Sequence, residues 1–106
     1  MAEVDKLEVI ASLDKKIHEP ARLAIMMVLY VADQADFLYL MNQTKLTKGN
    51  LSSHLSKLEE AGYIEVTKTI KGKTTHTVCS LTAVGRKAFD EYRRSISGVF
   101  NDPQPE

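Results

Sequence analysis

Gly49, Asn50, Ser53, Ser56 and Lys57 recur at spacings that gather them on one side of a helix, with Lys48, Ser52 and His54 on its flanks. None of these residues carries a large aliphatic group. Asn, Ser, Lys and His offer hydrogen bonds to base edges or phosphate oxygens, and short side chains let a helix backbone approach the wall of a groove about 12 Å wide. Further on, Lys68, Lys71, Lys73 and His76 surround Gly72 with no acidic residue among them. Such a cluster suits a phosphate backbone or a minor groove, where neutralising charge releases counterions. Other chemistry finds less footing. The chain has no nucleotide-binding glycine pattern and no paired carboxylates in an apolar setting, so it is not expected to be an enzyme. His18, His54, His76 and Cys79 lack close ligand spacing, and His76 and Cys79, three apart on a strand, point to opposite faces; no metal or other cofactor is expected. Cys79 reads as a small buried hydrophobe.

The elements that must position these groups are legible in outline. Thr47 can accept a backbone N–H at a helix start, Leu51, Leu55 and Leu58 form the apolar stripe of that helix, and Gly62 stops it as a left-handed cap. Tyr63 to Lys68 then alternates Ile64 and Val66 inward with Glu65 and Thr67 outward, and Thr75 to Leu81 places Thr77, Cys79 and Leu81 on one face. Between the two strands, residues 69–74 read as a hairpin loop in which Gly72 supplies a positive φ.

Upstream, Pro20 fits a first helical turn, and Leu23, Met26, Met27, Leu29 and Tyr30 carry a core helix from about Ala21 to Ala32. The Met pair reads as packing. Asp36 caps a shorter helix with Phe37, Leu38, Leu40 and Met41, and Thr44-Lys45-Leu46 turns into the Thr47 helix, so the two form a helix-turn-helix pair. Thr82 caps a last helix with Phe89, Tyr92, Ile96 and Val99 in a stripe and Phe100 beside it. Val4, Leu7, Ile10, Ala11 and Ile17 form a second amphipathic segment near the start. Both stripes exceed what a core of this size covers, which points to a two-fold homodimer built from the terminal helices.

Composition sets the limits. A chain of 106 residues with 43% hydrophobic content suits a single compact domain. It is formally neutral, but residues 1–43 hold 4 basic and 7 acidic groups whereas residues 44–76 hold 6 and 3. The positive charge therefore sits on the candidate surface, without a general nucleic-acid coat. No apolar run approaches the ~20 residues of a membrane span and no signal-peptide pattern opens the chain. One cysteine allows no internal disulfide. A cytoplasmic protein with no membrane partner is expected.

The run LTKGNLSSHLSKLEEAGYIEVTKTIKGKTTHTVCSLTAVGRKAF resembles the compact winged-helix transcriptional regulators related to the MarR and ArsR families, and the resemblance spans roughly Ile17 to Tyr92. Its specific parts are the NLSSHLSKLEEAGYI helix-to-strand block, the KxxxGK wing and the SLTAVGR opening of the last helix. It implies a mainly α fold with a small β-hairpin (α+β): a winged helix-turn-helix with a three-helix core, a wing and terminal helices. It also implies a homodimer on double-stranded DNA, with Thr47, Lys48, Asn50, Ser53, His54 and Lys57 on the reading helix in the major groove and Lys71, Lys73 and Thr74 on the wing. The implied division is an N-terminal dimerisation helix (residues 1–18), the DNA-binding domain (19–82), a C-terminal dimerisation helix (83–100) and a disordered tail (101–106). Many relatives place arginine in the wing; lysine makes a point contact and not a fork, so this wing is expected to hold the backbone more than to read bases. The sequence assigns no small-molecule effector. A rival expectation is a winged-helix module that docks a protein partner, for which aromatic or Leu anchors should occupy the outward face.

Overall fold

Four of the helices begin where a side chain accepts a backbone N–H three residues on, an N–H that would otherwise lack a partner. In the computed structural model, which describes the backbone of residues 2–100 and the side chains of residues 5–100, Glu19 does this for α2 (Pro20–Ala32), bonding the Arg22 N–H at 2.8 Å. Asp36 caps α3 (Phe37–Thr44) through the Tyr39 N–H at 2.8 Å, and Thr47 caps α4 (Lys48–Glu60) through the Asn50 N–H at 3.2 Å. Thr82 caps α5 (Ala83–Phe100) through the Gly85 N–H at 2.9 Å. α1 (Ala2–Ala11) precedes them and packs on α5.

The strands β1 (Gln34–Asp36), β2 (Ile64–Lys71) and β3 (Thr74–Leu81) form an antiparallel sheet in the order β1-β3-β2. In its centre Cys79 lies between Ala35 and Val66. Beneath it sits a single core: Ile25, Met26 and Leu29 from α2, Leu40 from α3, Leu51, Leu55 and Leu58 from α4, and Phe89 and Tyr92 from α5. The expected fold is therefore present, with β1 added. Gln34-Ala35-Asp36 carries no strand signal, and its pairing with β3 is imposed by the tertiary fold.

Three further details depart from the sequence reading. The hairpin strands run to Lys71 and Thr74, which pair with each other, so the connection is the two-residue turn Gly72-Lys73 and not a six-residue loop. Gly72 has φ 63° and Lys73 has no positive φ, the pattern of a type II′ turn. Of the Met pair, Met26 is fully buried, whereas Met27 is exposed. Ile17, read as part of an unpartnered N-terminal stripe, is fully buried in the core of its own chain beside Leu13. The expected tail at 101–106 and the Val4 side chain lie outside the described residues.

The junction from α4 into β2 is short and closed. Gly62, at φ 80°, donates to the Glu59 carbonyl at 2.9 Å and Tyr63 to the Leu58 carbonyl at 3.0 Å, which together make a Schellman cap. Tyr63 in turn accepts from the Thr82 N–H at 3.0 Å, and the start of α5 lies so close that a Cβ on Gly85 would stand 2.1 Å from the Tyr63 carbonyl oxygen.

Candidate nucleic-acid interface

α4 has an inner and an outer side. Leu51, Leu55 and Leu58 are buried, while Thr47, Lys48, Gly49, Asn50, Ser53, Ser56 and Lys57 are exposed. The outward side therefore offers amide, hydroxyl and ammonium groups with no aliphatic or aromatic anchor among them. Thr47 divides its hydroxyl between capping the helix and the surface, since Oγ1 accepts from Asn50 and keeps its own proton to donate. Beyond the core, the hairpin continues as a two-stranded ladder in which residues 67–75 are all exposed. Lys71, Lys73 and Thr74 lie at its tip, beside the exposed Ile70.

Between α4 and the hairpin runs a groove of about 710 Å³. Lys48, Ser52 and Ser56 line it from α4, and Lys68, Thr75 and His76 from the hairpin, over a floor that includes Leu55 and Val66. Ser52 and Ser56 of the helix and Lys68 and His76 of the hairpin, all singled out from the sequence, are thus brought to one surface. Helical periodicity places Ser52 and Ser56 there, whereas that Lys68 and His76 face α4 across the groove follows from the packing of the hairpin against the helix.

His54 is held differently from its neighbours. Its side chain is turned off the outward side and largely covered, with Nδ1 3.1 Å from Arg22 Nη1 and Nε2 3.9 Å from Glu19 Oε2. A guanidinium only donates, so Nδ1 is the acceptor and the ring proton sits on Nε2, facing Glu19. The Arg22 backbone N–H holds the Glu19 carboxyl below its ordinary range against an opposing desolvation. Arg22 escapes a sequence reading because a lone arginine on an apolar helix looks solvated. Its partners lie in the loop before α2 and 32 residues further on.

Cys79 is buried between the paired strands, and burial, with a smaller contribution from Glu59, pushes its thiol up to about 11. Among the described residues no group of three or more His, Cys, Asp or Glu side chains could hold a metal ion, and no helix is long and apolar enough to cross a membrane.

A family model described as a winged helix DNA-binding domain matches residues 21–99. The uncharacterized protein MJ0432 of Methanocaldococcus jannaschii is 37% identical over 78 residues, covering 74% of this chain and 85% of that protein. A solved transcriptional regulator homologue from Pyrococcus horikoshii OT3 superposes with TM-score 0.80 at 30% identity, covering 90% of this chain and 93% of that one. Overoxidized AbfR bound to DNA superposes with TM-score 0.68 at 17% identity over 94% and 75% of the two chains, a likeness of fold. With its neighbours in fold among transcriptional regulators of the MarR and ArsR type, and with the match reaching from α2 to the end of α5, this chain belongs to the winged helix DNA-binding domain family.

Proposed function

We propose that the protein regulates transcription as a homodimer that binds double-stranded DNA sequence-specifically, α4 entering the major groove and the β2–β3 wing lying on the flanking backbone or minor groove. The observation that carries this reading is the outward side of α4, where Asn50, Ser53 and Lys57 are exposed on a helix whose other side is fully committed to the core. In this arrangement Asn50 pairs with an adenine edge, Ser53 and Lys57 extend the contact along the groove, and Thr47 and Lys48 meet phosphate at the helix N-terminus. Lys71, Lys73 and Thr74 neutralise and hydrogen-bond the backbone from the wing. His54 contributes from the flank, with its Nδ1 already engaged by Arg22.

The second copy joins through the terminal helices, residues 1–18 and 83–100 flanking a DNA-binding domain of residues 19–82. Leu7 and Ile10 on α1 and Phe100 on α5 are exposed, as are Met27 and Val31 beside α5, and burial against a twin would remove this apolar surface from water. Two-fold symmetry then sets the recognition helices one duplex turn apart, about 34 Å. The protein acts by binding, in the cytoplasm, without a catalytic step or cofactor.

Selection of bound sequences from a random duplex pool tests the reading. Enrichment of a palindromic site with half-sites about 10 bp apart is expected. A pool that stays random refutes sequence-specific binding and leaves the protein-docking role, and sedimentation showing only monomer at micromolar concentration refutes the dimer.

A further inference from the structure

The segment between α1 and α2, residues 12–19, is tied to three parts of the molecule at once. Arg22 makes the first tie. Its Nε donates to the Lys16 carbonyl at 2.7 Å and Nη2 to the Lys15 carbonyl at 3.4 Å, while Nη1 reaches His54 in the middle of α4. Asp14 makes the second. One carboxylate oxygen accepts the Lys16 N–H at 2.8 Å and the other accepts the Tyr63 hydroxyl, at the joint where α4 becomes β2. The third is His18, whose Nδ1 lies 2.8 Å from the Tyr92 hydroxyl of α5. Leu13 and Ile17 anchor the same segment in the core.

We propose that this connector couples the terminal helices to the DNA-reading surface, with Arg22 as the residue that positions α4. The proposal rests on the DNA-binding reading above and adds how that surface is held. α4 has a polar outward side and can turn about its own axis only as far as its neighbours allow. The His54 ring, adjacent to Ser53 and one turn beyond Asn50, is the handle by which Arg22 fixes that rotation. Because the same guanidinium grips the carbonyls of the connector, a shift of α1 along α5 reaches His54 through one side chain. Tyr63 and Asp14 carry the same shift to the base of the wing. The energetic evidence such a path requires is a change at α4 when a distant tie is cut.

Two variants test it, Arg22→Gln, which removes the guanidinium, and Tyr63→Phe, which removes one hydroxyl with little change in shape. Neither residue is on the outward side of α4, so each is expected to weaken binding to the selected duplex by about two- to thirtyfold with the salt dependence of binding unchanged. In the protein without DNA, amide hydrogen exchange of residues 48–54 should quicken in both variants. A salt slope that falls by about one per protomer in Arg22→Gln makes Arg22 a phosphate contact and overturns the positioning role. Wild-type exchange in α4 of both variants overturns the coupling. That measurement needs no DNA, so the coupling is judged even if the wild-type protein bound no duplex, a result that would refute the DNA-binding reading itself.

Discussion

Replacing Lys71 with alanine removes one ammonium group from the tip of the wing, and the proposed geometry fixes how the salt dependence of binding must respond. The proposed contact set contains four exposed lysines, Lys48, Lys57, Lys71 and Lys73, so each protomer neutralises four phosphates through it and a dimer eight. At about −0.9 per phosphate, the slope of log affinity against log salt is about −7 for the dimer, a loss of about 10⁴-fold between 50 and 200 mM salt. A monomer making four contacts gives a slope of about −3.6 and a loss of about 150-fold over the same range. Lys71→Ala should then shift the slope by about 1.8 in a dimer and about 0.9 in a monomer, because two-fold symmetry deletes the contact twice. Fluorescence anisotropy with a labelled duplex over a series of salt concentrations measures both slopes. A slope near zero in the wild type, or one that neither Lys71→Ala nor Lys57→Ala alters, would refute the placement of α4 and the wing on phosphate.

Gly85→Ala should destabilise the protein by about 3 kcal/mol, since the new methyl meets the Tyr63 backbone and no flexible side chain can yield. At this chain length that lowers Tm by more than about 10 °C, whereas an unobstructed helix site would gain about 1 kcal/mol from the same change, so a raised Tm contradicts the packing described. Thr47→Ala should cost about 1 kcal/mol in urea unfolding through loss of the α4 cap, while Thr47→Asn, which keeps an acceptor, stays within a few tenths of wild type. With its thiol at about 11, Cys79 stays protonated near pH 8, and alkylating reagents should label it slowly until the protein is unfolded. Burial, followed by the Asp14 hydrogen bond, raises the Tyr63 hydroxyl from 10.0 to about 12. The folded state therefore favours the protonated phenol, a contribution that is full below pH about 10 and lost between about 10 and 12 as the unfolded chain ionises first. Unfolding measured across that window should show a shallower loss of stability in Tyr63→Phe than in the wild type.

Much of the fold is written in local chemistry. Thr47, the Leu51-Leu55-Leu58 stripe and Gly62 define α4 without reference to the rest of the chain, and the structure sets its start, its buried side and its end accordingly. Asp36 and Thr82 mark the starts of α3 and α5 in the same way. β1 is illegible because Gln34, Ala35 and Asp36 are poor strand formers held only by β3. The full length of the hairpin is hidden for a different reason. Past Val66 both sides of the ladder face water, so the alternation that reveals a half-buried strand stops while the pairing continues. At the candidate site, the exposed residues of α4 and the wing follow from period and composition. The Arg22–His54 contact does not, since it depends on two carbonyls and a ring brought together by the packing of three elements.

The Schellman cap at Gly62 leaves almost no slack between the recognition helix and the hairpin, so the two behave as the jaws of a caliper with a fixed opening. If α4 enters a groove as proposed, that fixed opening has to match the spacing between groove and flanking strand, which differs between a B-form duplex and the deep, narrow major groove of A-form RNA. Selection between the two nucleic acids would then be made by the span of the instrument, before any base is read.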